Sequence, residues 1–174
     1  AAKKAGNIAA DGAIIVATKG NTSIVLEVNS QTDFVAKDDN FSAFANKVAE
    51  LALAARETDV EKIAALNYDG HTVEEARIAL VQKVGENIQV RRAELVEGAV
   101  LASYCHGLRI GVVVAMEGGS EELARDVAMH IAAAKPEAVA PEDVSPAVIA
   151  KEREIAAAKA AESGKPANIV EKMV

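Results

Sequence analysis

The sequence has no tryptophan, two tyrosines and three phenylalanines in 174 residues. A core must therefore be assembled from Ala, Val, Ile and Leu, and each phenylalanine stands out against that background. A single cysteine, Cys105, excludes an internal disulfide and suits a reducing compartment. No apolar run approaches the ~18 uninterrupted residues of a membrane span, and no secretory leader is read. Positive charge is also in short supply: 19 Lys and Arg face 26 Asp and Glu, a net charge of -7. Non-specific nucleic-acid binding needs a basic stripe to displace counterions and is not expected, nor is adsorption to an anionic membrane.

Catalytic and cofactor motifs are equally scarce. Gly164-Lys165 lacks the preceding glycine of a phosphate loop and is followed by Pro166, which removes a backbone donor. Gly118-Gly119-Ser120 at a helix start is at most a weak anion site. Cys105 and His106 are neighbours on a strand and point to opposite faces, so they do not form a thiolate–imidazole pair unless the turn distorts. His71 and His130 show no metal-ligand spacing with them. Neither an enzyme nor a cofactor binder is expected. His106 is read as an exposed contact residue or a simple strand-end surface residue.

What is present is a repeated plan of hairpin followed by helix. Ala13 to Thr18 and Ser23 to Asn29 read as strands joined by Lys19-Gly20-Asn21-Thr22. Phe41, Phe44, Ala45, Val48, Leu51 and Ala55 then recur at helical spacing. Thr72 and Glu75 form a capping box for a further helix that stops near Gly85, and strand character returns over Ile88 to Val96 with a phase shift near Arg92 that suggests a bulge. The second copy runs from Val100 to His106, turns at Gly107-Leu108, continues over Arg109 to Met116 and enters a helix over Ser120 to Lys135. Phe44-Ala45-Asn46-Lys47-Val48-Ala49 aligns with Leu123-Ala124-Arg125-Asp126-Val127-Ala128. All four prolines lie beyond residue 135. There Ser145-Pro146 starts a thinly apolar helix, Gly164 and Pro166 end it, and Asn168 is expected to cap the next.

The two copies differ at the joint between strand and helix. The second uses Gly118, Gly119 and Ser120, whereas the first uses a polar loop from Ser30 to Asn40 carrying Phe34-Val35 at its tip. Short joints are the rule, so the surplus Thr32-Asp33-Phe34-Val35 is a candidate working part. Phe34 either plugs the protein's own core or enters a partner. Asp33, Asp38 and Asp39 lack the spacing of a calcium loop. Asp39 or Asn40 is expected to cap the following helix, with Asp38 solvated.

The run Glu27-Val28-Asn29-Ser30-Gln31-Thr32-Asp33-Phe34-Val35-Ala36 closely resembles the hallmark of the bacterial elongation factor Ts family. Further matches are Ala2-Lys3-Lys4-Ala5-Gly6-Asn7, Gly85-Glu86-Asn87-Ile88 with Arg91-Arg92, His106-Gly107 followed by Arg109-Ile110-Gly111, and Ala128-Met129-His130-Ile131-Ala132-Ala133. The resemblance implies an α+β fold of two related subdomains, each a small antiparallel sheet with helices, and a helical hairpin (coiled-coil) arm. Residues 1–98 would form the first subdomain, 99–137 the second and 138–174 the arm. Against the family, the chain would lack an N-terminal helical module, the return limb of the arm and the closing part of the second subdomain. The implied activity is guanine-nucleotide exchange on elongation factor Tu in the bacterial cytoplasm, without covalent chemistry or a cofactor. Partner states would be GDP-bound and nucleotide-free, with a higher-order complex conceivable. By the same resemblance Thr32, Asp33, Phe34 and Val35 would dislodge magnesium from the partner, and His106 and Gly107 would form a second contact area. The competing reading is an oligomerisation or scaffold module in which Phe34 is a core plug.

Overall fold

The computed structural model describes residues 2–174. Two nine-residue strands, β1 (Asp11–Lys19) and β2 (Thr22–Ser30), pair antiparallel, with Lys19 opposite Thr22. Gly20 opens their turn at φ +63°, a backbone that glycine adopts at little cost. β2 is central in a three-stranded sheet because β5 (Gln89–Glu97) takes its other edge. The alternation of β2 puts Ile24, Leu26 and Val28 on one face, all fully buried.

A 17-residue helix, α2 (Asp39–Ala55), packs on the sheet, burying Phe41, Phe44, Ala45, Val48, Ala49, Ala52 and Leu53. Ala55, the last residue of the predicted stripe, is exposed. α3 (Val60–Ala64) and the short hairpin of β3 (Asn67–Tyr68) and β4 (His71–Thr72) fill a stretch without legible periodicity. α4 (Val73–Val84) begins at the predicted Thr72–Glu75 capping box and closes at Gly85, φ +76°. In β5 the register shifts where predicted. Glu27 faces Arg92 and Val28 faces Val90, so Arg91 is the extra residue, and the bulge lets both arginines reach Glu27, at 3.5 and 3.0 Å.

The second hairpin, β6 (Val100–His106) and β7 (Ile110–Met116), forms its own two-stranded sheet, covered by α5 (Glu121–Ala134). Ser120 accepts a bond from the Leu123 amide at 3.1 Å and starts that helix. The aligned pairs Ala45/Ala49 and Ala124/Ala128 are all fully buried, so the matching positions seat each helix by its small residues. Residues Lys135–Val174 form a separate compact unit. In it a 3-10 turn (Pro141–Asp143) precedes α6 (Pro146–Glu162), capped by Ser145, and α6 packs against α7 (Ala167–Met173). Asn168 lies inside α7 and caps nothing. Pro166 holds the N-cap position, because the fixed φ of proline sets the start of the helix ahead of Asn168. The architecture is α+β, and among the described residues no helix is long and apolar enough to cross a membrane.

Gly12 shows how tightly β1 meets β2. Its φ is +137°, and a Cβ there would sit 2.2 Å from the Val28 carbonyl oxygen and 2.7 Å from Asn29 Cα, both backbone atoms. Gly12→Ala is therefore expected to destabilise the fold by roughly 1 to 3 kcal/mol, the cost typical of a forced backbone, as measured by urea unfolding.

Candidate functional site

The joint between β2 and α2 is a helical turn, which corrects the expectation of a polar loop. Thr32 is extended and caps a four-residue helix, α1 (Asp33–Ala36), its Oγ1 accepting the Val35 amide at 3.4 Å. Threonine followed by aspartate suits an N-cap and first turn, and the turn pairs backbone groups that a loop would leave to water. Lys37 then pairs with Asp33 across one turn at 3.4 Å.

Successive residues of such a turn point in different directions. Ala36 is buried, Val35 packs against the core, and Phe34 projects outward with 82% of its surface exposed. The core-plug reading of Phe34 is thereby overturned. Phe41 and Phe44 are the phenylalanines of the core, 0% and 3% exposed.

Asp38, expected to be solvated, is the cap of α2: its Oδ1 accepts the amides of Asn40 at 2.9 Å and Phe41 at 3.3 Å. Asp39 and Asn40, expected as caps, lie inside the helix. Asp38 is the last residue with extended backbone, φ -69° and ψ 138°, and that geometry turns a short side chain back onto the free amides. Asp33 thus pairs with Lys37 and Asp38 caps α2, while Asp39 lies in the first turn of that helix. Among the described residues no group of three or more His, Cys, Asp or Glu could hold a metal ion.

The base of the turn is held by residues that no sequence pattern assigns a role. Glu86 Oε2 accepts the amides of Gln31 at 3.1 Å and Thr32 at 3.0 Å, and its Oε1 accepts the Thr32 hydroxyl at 2.7 Å. The side-chain Oε1 of Gln31 accepts the Asn87 backbone amide at 2.7 Å and the Asn7 side-chain amide at 3.1 Å. Only the matching run Gly85-Glu86-Asn87-Ile88 hinted that this stretch mattered.

His106 and Gly107, far away in sequence, come to the same place. The turn after β6 docks on the free edge of β1, where the Ile14 amide donates to the Leu108 carbonyl at 2.7 Å. Arg109 pairs with Asp11 at 3.1 Å. Between the turn and α1 lies a cleft of about 530 Å³ lined by Asp33, Ala36 and Lys37 on one side and by His106, Gly107, Leu108 and Ile110 on the other. His106 is exposed, its Nδ1 3.1 Å from the Tyr104 hydroxyl. Gly107 has φ +62°. Partial burial pushes the Cys105 thiol pKa up, so it is less ionised than a free thiol and is not an activated nucleophile. His71 pairs with Glu75 at 3.6 Å, and His130 is exposed on α5. Cleft, exposed Phe34 and hairpin turn lie together, without a convergent acid, base or nucleophile among the described residues.

Residues 31–174 match the model of the family described as elongation factor TS. Over its whole length the chain is 67% identical to elongation factor Ts of Psychrobacter sp. (strain PRwf-1), 65% to that of Psychrobacter cryohalolentis and 66% to that of Acinetobacter baylyi. It spans 60% of the length of each of these curated relatives. With its full extent matched at that identity and residues 31–174 matched by the family model, the chain belongs to the elongation factor Ts family.

Proposed function

We propose that this chain is a guanine-nucleotide exchange factor of the bacterial cytoplasm that binds elongation factor Tu, perturbs its magnesium and phosphate site and promotes GDP release without covalent chemistry. The observation that carries the reading is Phe34, a large apolar side chain 82% exposed on a turn that Val35 and Ala36 anchor to the core. Leaving such a group in water costs free energy that insertion into a partner recovers. Asp33 beside it is half-exposed and brings a carboxylate toward groups around a bound cation. Thr32 and Val35 hold the turn, and His106 and Gly107 make the second contact. In the same reading 1–98 and 99–137 are the core subdomains and 138–174 the arm.

Magnitudes constrain the mechanism. Accelerating release ~10,000-fold lowers the barrier by ~5.5 kcal/mol, since each ~1.4 kcal/mol is tenfold. Burying one phenylalanine supplies ~1.5 to 3 kcal/mol. Insertion of Phe34 therefore draws on the wider interface, and the exchange is a coupling free energy between protein and nucleotide. Coupling is reciprocal, so nucleotide must also expel this chain. The test is release of a fluorescent GDP analogue from elongation factor Tu, with and without the chain, over a range of magnesium concentrations. Acceleration that diminishes at high magnesium is expected; equal rates at every magnesium concentration would refute the reading.

A further inference from the structure

We propose that Glu86 is a positioning residue that fixes the direction of Phe34, an inference whose functional half rests on the exchange reading above. The pairing of β2 with β1 ends at Ser30 and that with β5 at Asn29, so the amides of Gln31 and Thr32 emerge with no strand partner. A backbone amide that leaves a ladder in a half-buried position needs an acceptor. Glu86, 55 and 54 positions away in sequence on the loop between α4 and β5, takes both with one carboxylate oxygen. Charge-assisted bonds from successive amides to a carboxylate are stronger than neutral ones.

The other oxygen acts one step further on. It accepts a hydrogen bond from the Thr32 hydroxyl at 2.7 Å, so the lone pairs of Thr32 Oγ1 are free to face the Val35 amide. Glu86 thus orients the cap of α1. A four-residue helix cannot hold itself, because nucleation costs more than its few hydrogen bonds return. Its direction comes from the cap at one end and the burial of Val35 and Ala36 at the other. Without Glu86 the hydroxyl rotates freely, two amides lose their acceptor, and the exposed Phe34 samples many directions.

The test uses the full chain, with Glu86→Ala, Glu86→Gln, Phe34→Ala and the double variant. Glu86 is half-buried on a surface loop, so the thermal midpoint of Glu86→Ala is expected to stay close to that of the parent. Amide hydrogen exchange at Gln31, Thr32 and Val35 is expected to speed up in Glu86→Ala. In Glu86→Gln, which keeps one oxygen for the two amides but places a donor NH2 against the Thr32 hydroxyl, exchange at Gln31 and Thr32 stays near the parent rate while that at Val35 speeds up. GDP release from elongation factor Tu is expected to slow about tenfold in Glu86→Ala and to recover in part in Glu86→Gln, while Glu86→Ala adds less than about twofold to Phe34→Ala. Unchanged amide exchange, or losses that multiply in the double variant, overturns the positioning role. If the parent chain fails to accelerate release but the amides respond as stated, the exchange reading falls and the clamp on the turn stands.

Discussion

Phe34→Ala is expected to slow exchange on elongation factor Tu by roughly ten- to hundredfold, the rate equivalent of the ~1.5 to 3 kcal/mol gained by burying one phenylalanine. Folding stability should change by no more than about 0.5 kcal/mol, as for other surface substitutions. With 82% of the surface of Phe34 already in water, truncation opens no cavity and breaks no packing. Neighbouring Val35 and Ala36 keep α1 on the core in the variant. The measurements are the fluorescent GDP release assay and a thermal melt on the same preparation. A large drop in melting temperature would sink the wedge assignment, because it would mean that the ring supports the fold.

Phe41→Ala is expected to behave in the opposite way, losing ~3 to 5 kcal/mol of stability through lost burial and the cavity left behind. Phe41 is fully buried at the start of α2, above a sheet face built from Ile24, Leu26 and Val28. In a protein with two tyrosines, no tryptophan and a core otherwise aliphatic, few larger side chains are at hand to fill the gap. Domains are stable by only about 5 to 15 kcal/mol, so this loss is a large share of the total. Urea unfolding followed by circular dichroism measures it. Any fall in exchange by Phe41→Ala should track the unfolded fraction, whereas that of Phe34→Ala should not.

The contrast between these two phenylalanines marks the limit of sequence reasoning. Both flank the same acidic stretch and both interrupt polar residues. Phe41 begins a series that continues through Phe44, Ala45 and Val48 at helical spacing, so its burial is legible. Phe34 has no such series, and its exposure depends on α1, a turn too short to show a period. The cap at Asp38 is hidden for a related reason: adjacent acidic residues are equivalent as letters, and only the backbone at Asp38 distinguishes the cap from Asp39.

Local chemistry is enough to specify the hairpins β1–β2 and β6–β7, the capping box at Thr72 and Glu75, a bulge near Arg92 and the long helices. Each arises from alternation, spacing or turn residues within a few positions, and such signals survive in one dimension. Membership of the elongation factor Ts family is legible too, because its hallmark run is long and ordered. Three further features depend on contacts between residues distant along the chain: the Glu86 clamp on Gln31 and Thr32, the docking of Leu108 on Ile14, and the shared cleft of α1 and the His106 turn. No local propensity encodes them. They arise when packing of α2 on β1 and β2, and of β7 against β1, brings the segments within hydrogen-bond reach.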